Sequence, residues 1–211
     1  MRTNHIASFV SAILMGAALG CASAAHAAIT IYTANLSGPN ESPPNASPGT
    51  GFAAVTIDDI ANTMHVQVTF SGLLAGSTAS HIHAPTTVPF AGTAGVATTV
   101  PTFTGFPLGV TAGTYDNFFN LLSDTSYNPA FEAANGGTAA SAEVALLAAM
   151  ASGRSYLNIH TTQFPSGEIR GFLVASVAEP ASWAMMLIGF GGIGFAMRRR
   201  ISLGRLKTLS V

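Results

Sequence analysis

Met64 to Phe70 reads MHVQVTF. Met64, Val66, Val68 and Phe70 fall on one side of a two-residue period, and His65, Gln67 and Thr69 on the other. Successive side chains of a strand point to opposite faces, so only a half-buried β-strand gathers this apolar set on one side. Its neighbours are built alike. ITIYTANL (Ile29 to Leu36) and GFAAVTI (Gly51 to Ile57) are short β-prone runs. The SGPNESPPNASPG between them holds four prolines, which neither a helix nor a central strand tolerates. Ala79 to Ala84 is a further short strand. Ser155 to Thr161 and Glu168 to Val174 flank the turn Pro165-Ser166-Gly167 as a terminal hairpin. Tyr115 to Leu122 and Pro129 to Asn135 read as short helical turns, and Ala139 to Ser152 as one full helix with Gly153 at its C-terminal end. The pattern predicts a mainly β domain, an antiparallel β-sandwich or barrel with a short helical insertion.

Two apolar segments stand outside this pattern. Residues 1–27 place Arg2 before an apolar run, Ile6 to Leu19, and end in Ala25-His26-Ala27. That is the layout of a secretory signal peptide cleaved between Ala27 and Ala28. Near the other end, Ala181 to Met197 is uncharged and apolar, close to the lower limit of the ~17–25 residues that cross a bilayer as a helix. Arg198, Arg199 and Arg200 follow directly, and positive residues stay in the cytoplasm. The expectation is a β domain at residues 28–176 held outside the cytoplasm. A membrane-directed segment at 177–204 follows it, with a transmembrane helix at 181–197 and a basic tail at 198–207.

Between these ends the chemistry is restricted. Arg154 and Arg170 are the only basic side chains from Ala28 to Val177, against eight carboxylates, a formal net charge of −6. An acidic domain without a basic patch does not suit nucleic acid. No lysine precedes Lys207, and the single cysteine, Cys21, lies in the signal segment. A catalytic lysine, a thiol nucleophile, a disulfide and cysteine metal ligands are therefore excluded from the body. No Gly-x-Ser-x-Gly elbow or phosphate loop occurs, and nothing in the pattern specifies a reaction.

Glu179-Pro180, Ala181-Ser182-Trp183-Ala184, a Gly-rich apolar run and the cluster Arg198 to Arg200 occur in that order. Together they resemble the PEP-CTERM sorting signal of Gram-negative bacteria, in its variant with Trp-Ala after the motif. One position departs: Ala178 stands where the family has its first proline. The resemblance implies an inner-membrane precursor cut near Glu179-Pro180 by an exosortase-type enzyme, then release to the cell surface or extracellular matrix. If Ala178 spoils recognition, it implies a protein that stays anchored in the inner membrane.

Within the body, LSGPNESPP (Leu36 to Pro44), FSGL (Phe70 to Leu73), ASHIHAP (Ala79 to Pro85) and YLNIHTTQFPSGEIRGFL (Tyr156 to Leu173) resemble a CHRD domain. This family is named after chordin and also occurs in bacterial secreted proteins. The likeness implies a module acting by binding or structure, with exopolysaccharide or surface proteins as partners. The family has been compared at a distance with copper/zinc superoxide dismutases, which implies an Ig-like β fold. FSGLLAGSTASHIHAP is similar to the dismutase stretch in which a Gly-Leu turn precedes a His-x-His copper-binding strand. On that likeness His81 and His83 are two ligands for copper or zinc and His160 is a third. The alternative function is then a metal-dependent redox protein. Neutral imidazoles suit either metal. The departures weigh against a dismutase. A bridging histidine, a zinc loop and a disulfide are missing from the pattern, and Arg170 is the only cation positioned to attract an anionic substrate.

The histidines also admit a structural reading. Flanked by Ser80, Asn158 and Thr161, they can bond loop carbonyls and tie two strand ends together. Alternation places Tyr156, Asn158 and His160 on one face of their strand. Ring nitrogens within about 3–4 Å of one another mark a shared ion with ~2.0–2.1 Å bonds. Glu168 and Arg170, at alternate positions of GEIRG, are expected to form an ion pair that fixes the hairpin.

Overall fold

The computed structural model describes residues 29–176 and 189–191. Strands β1 (Ile29–Ser37), β2 (Thr50–Asp58) and β3 (Thr63–Ser71) form an antiparallel meander that ends on β5 (Gly113–Asn120). On the other side of β1 lie β7 (Ile169–Phe172), β6 (Tyr156–Thr161) and finally β4 (Ser77–His83). A short β8 (Val174–Ser176) also pairs with β1. The result is one eight-stranded antiparallel sheet, ordered β4-β6-β7-β1-β2-β3-β5 with β8 beside β1, curled into a half-barrel. The expectation of antiparallel β structure stands. Two separate sheets packed face to face do not form, because the strands of one sheet coil around a single core.

The alternation of Met64 to Phe70 accounts for the inner face. Met64, Val66, Val68 and Phe70 are buried, and their β2 neighbours Ala53, Val55 and Ile57 join them. Ile82, Leu157, Ile159 and Ile169 supply the same core from β4, β6 and β7. Two helices follow β5: α1 (Pro129–Ala134) and α2 (Ala139–Ala151). Helix α2 buries Ala142, Leu146, Ala149 and Met150 in that core. Thr138 caps it, with the Thr138 hydroxyl accepting from the Ser141 N–H and the Ser141 hydroxyl accepting from the Thr138 N–H. Gly153, at φ +67°, turns the chain out of the helix.

Residues 115–122 depart from the expected helical turn. Gly113–Asn120 is an edge strand in register with β3. Adjacent apolar pairs, Phe118-Phe119 and Leu121-Leu122, imitate helical spacing in the sequence. In the fold they divide: Phe119 enters the core, while Phe118 stays exposed and stacks on His65 at 3.9 Å between ring centres.

The expected Glu168–Arg170 ion pair does not form. Glu168 lies one residue before β7 begins, so strand alternation does not set its direction. Its fully buried carboxyl accepts from the Ser47 hydroxyl (2.6 Å), the Leu74 N–H (2.6 Å) and the Thr161 hydroxyl (2.7 Å). Arg170 faces Glu41 instead, at 3.8 Å.

Among the described residues no helix is long and apolar enough to cross a membrane. The expected span at 181–197 lies outside them except for 189–191, which are helical. The signal segment with Ala27 and Ala28 lies outside them too, as do Glu179, Pro180, Trp183, Arg198, Arg199 and Arg200.

Glu168 ties three chain segments into one buried knot, and its removal strands a hydroxyl pair and an amide. Replacing Glu168 with Ala is expected to cost about 2–4 kcal/mol, read as a lower urea midpoint at unchanged slope.

Candidate metal centre

Strands β4, β6 and β7 are covered on both faces. The inner face is apolar, and the outer face carries His81 and His83 from β4, Tyr156, Asn158 and His160 from β6, and Arg170 and Phe172 from β7. Gly92, Ala94 and Pro101 of the segment after β4, Asn40 of the loop after β1, and Pro165 of the last turn bond to side chains of this outer face. A polar sheet surface is thereby taken out of water.

The register explains why the histidines meet. His81 pairs with Asn158, His83 with Tyr156, and Ala79 with His160, so the three imidazoles occupy neighbouring places on adjacent strands. Their ring centres are 4.8 Å apart for His81 and His160, 5.2 Å for His81 and His83, and 5.8 Å for His83 and His160. One nitrogen from each ring lies within 4.8 Å of the other two. That is wider than the 3–4 Å of a filled site. Three points so spaced have a centre no more than about 2.8 Å from each, so inward movements of roughly 0.7 Å would reach metal–nitrogen bonding distance.

Hydrogen bonding fixes which nitrogens are free. Each of three backbone carbonyls accepts from one ring: Pro101 from Nε2 of His81, Ala94 from Nδ1 of His83, and Pro165 from Nδ1 of His160, all at 2.9 Å. A carbonyl has no hydrogen to give, so those nitrogens carry the protons. The lone pairs therefore sit on Nδ1 of His81, Nε2 of His83 and Nε2 of His160. These three atoms are buried and have no hydrogen-bond partner. The carbonyl bonding occurs as the structural reading expects, and the three rings are neighbours at a spacing wider than the 3–4 Å expected of a shared ion.

Electrostatics keep the triad neutral. Burial, followed by the neighbouring His160 and His83, lowers the pKa of His81 to about 3, against the opposing pull of the Pro101 carbonyl. Burial lowers His83 to about 4, opposed by the Ala94 carbonyl and reinforced by His160 and Arg170. Burial also lowers His160, opposed by the Pro165 carbonyl. Neutral imidazoles, each oriented through its second nitrogen, are the form that ligates copper or zinc. Among the described residues no carboxylate or thiolate joins them in the cluster, which makes it a nitrogen-only donor set.

The surroundings hold the rings in place. Tyr156 stacks on His83 at 4.8 Å with its ring nearly parallel, and the Arg170 guanidinium lies 4.6 Å over Tyr156. The loop over His83 is bolted by Phe90, whose ring packs on the bare face of Gly153. His65 takes no part: it faces Asp116 on the outer side of β3, at 2.7 Å. Glu41 had no individual signal in the sequence, although it sits inside the LSGPNESPP block. It is buried beside Arg170 and Asn158.

Among protein families, the CHRD domain matches residues 32–173, and the PEP-CTERM protein-sorting motif matches residues 176–200. No curated protein and no solved structure matches the chain.

The neutral triad makes the metal-free fold sensitive to acid. An unfolded histidine takes up a proton near pH 6.5, whereas folded His81 and His83 refuse it until about pH 3 and 4, and burial shifts His160 in the same direction. Their contribution is therefore whole above about pH 6.5 and lost as pH falls. Glu41, raised to about 7 mainly by burial, runs the other way and favours the fold by one proton over the same interval. His81 and His83 less Glu41 give a net uptake of about one proton on unfolding between about pH 6.5 and 4.5, or roughly 1.4 kcal/mol lost per pH unit, and His160 acts in the same direction as the other two histidines. Urea titrations of the metal-free protein across that range measure it, and a His81→Ala, His83→Ala double variant should flatten the dependence.

Proposed function

Because the chain belongs to the CHRD domain family and carries a PEP-CTERM sorting motif, we propose that it is an exported, surface-associated binding module built around one copper or zinc site. His81, His83 and His160 are its ligands. The sorting motif implies export, a membrane-anchored precursor and processing by an exosortase-type enzyme. In this reading the body is displayed at the cell surface or in its matrix, where exopolysaccharide and surface proteins are the available partners.

The observation that carries the metal reading is the set of three buried imidazole nitrogens with no protein hydrogen-bond partner. An unsatisfied buried acceptor costs about 1–3 kcal/mol, and three on adjacent strands favour an electron-pair acceptor. A cation meets all three demands at once. The Pro101, Ala94 and Pro165 carbonyls aim the rings, and the acidic body gathers cations from solution. When bound, the ion supplies Lewis acidity, and with copper one-electron chemistry as well. The chain's own residues bind it, hold its ligands in one tautomer and keep water from their outer nitrogens.

Full-length protein purified without chelators is expected to hold one copper or zinc per chain, measured by elemental analysis. His81→Ala with His83→Ala should remove it and leave far-ultraviolet circular dichroism unchanged. Sub-stoichiometric metal, or retention in the double variant, defeats the assignment. For sorting, Glu179→Ala with Pro180→Ala is expected to leave full-length protein in the membrane fraction on immunoblots; unaltered processing would contradict it.

A further inference from the structure

The unpartnered acceptors do not stop at the triad. Asn158 Oδ1 and Glu41 Oε1 are also buried without a hydrogen-bond partner. Asn158 pairs with His81 on one side and with Arg170 on the other, so a row His81–Asn158–Arg170 crosses the covered face of the sheet. Glu41 lies over the far end of that row. Its Oε2 is 3.5 Å from Nδ2 of Asn158 and 3.8 Å from Nε of Arg170. The turn Phe164 to Gly167 joins the triad to Glu41: its Pro165 carbonyl holds His160, and Gly167 packs against Asn158 and Glu41.

We infer that Glu41 is the counter-charge of the histidine site, and that a divalent ion entering among His81, His83 and His160 expels the proton of the Glu41 carboxyl to solvent. The inference rests on the metal-binding reading. An ionised Glu41 would be a buried charge whose Oε1 has no hydrogen-bond partner and whose only nearby cation among the described residues, Arg170, gives Nε to the Asn40 carbonyl and Nη1 to that of Gly92. Protonation removes the charge and turns one of two acceptor oxygens into a donor. Burial favours the same form and raises the group to about 7 against the pull of Arg170.

Entry of an ion reverses the balance. The charged and titratable groups on this face are Arg170 from β7, His81 and His83 from β4, His160 and Tyr156 from β6, and Glu41 itself. Residues 84–112 bring no charged side chain, and Glu168 is turned toward Ser47, Leu74 and Thr161. With the histidines neutral, a divalent ion joins Arg170 beneath the covering loops with no anion unless Glu41 ionises. The row spans two strand spacings of ~4.8 Å. Over about 10 Å at an effective dielectric near 20, a double charge moves a carboxyl titration down by about two pH units. Any proton that the histidines themselves release is common to the unmodified protein and Glu41→Gln, so the difference between the two reports Glu41.

The test is calorimetric titration of the full-length protein with zinc at about pH 6, in two buffers of different protonation enthalpy. Release of about 0.8 proton per zinc is expected. Glu41→Gln should bind zinc without that release and lose the rise in affinity between about pH 5 and 7. Zinc bound with no proton released overturns the inference and leaves the histidine site standing. So does equal release in Glu41→Gln, which would assign the proton to a water on the metal. No zinc binding, or binding unchanged by His81→Ala with His83→Ala, removes the metal reading and this inference together. If Glu41→Gln does not fold, infrared spectra of the unmodified protein decide. The band of a protonated carboxyl should be present without zinc and absent with it at the same pH, and its persistence overturns the inference.

Discussion

The structure depends on a constraint that acts where β4, β6 and β7 run side by side. These strands are buried on both faces, yet only one face is apolar. A sheet covered on both sides is ordinarily apolar on both. Here the second covering consists of loops, and loops bring carbonyl oxygens rather than methyl groups. Side chains with N–H donors are what such a covering can accommodate. His81, His83 and His160 each give one hydrogen to a carbonyl, and Arg170 gives two. The loops stay closed because the sheet feeds them donors, and the sheet stays dry because the loops accept.

That exchange leaves a residue of unmatched atoms, all of one kind. Every imidazole that spends its hydrogen on a loop keeps a lone pair on the other side of its ring. Three such rings on adjacent strands turn a packing solution into a donor set. Metal binding, as proposed, would add no new structural element and would use the atoms that closure of the loops could not satisfy. The buried Arg170 beside the same rings sets a limit on the charge the site accepts, which is why a carboxyl nearby matters as much as the ligands.

The sequence disclosed these parts unevenly, for physical reasons. The period-two run of Met64 to Phe70 and the helix capped by Thr138 were legible because their signals are local. The histidine pair was legible through its spacing; His160 entered through the likeness to a dismutase copper strand, alternation placing it only on the face of Tyr156 and Asn158. Gly113–Asn120 was not, because an edge strand with one exposed phenylalanine lacks a clean period. The partners of Glu168 and Arg170 were not legible either. Glu168 stands just outside its strand, and Arg170 meets a carboxyl delivered by a proline-rich loop more than a hundred residues earlier in the chain. Spacing rules reach neighbours along an element; they do not reach across a covered face.

The placement of the three histidines has a consequence for the life of the chain. Two lie on β4 and the third on β6, which arrives only after β5 and both helices have been laid down. No partial chain emerging from a membrane in N-to-C order holds the complete donor set. Only closure of the last hairpin against β4 brings it into being. On the proposed reading, an ion held there would be acquired by a finished molecule, after translocation and from the pool outside. The metal it carries would be a record of the compartment in which folding ended.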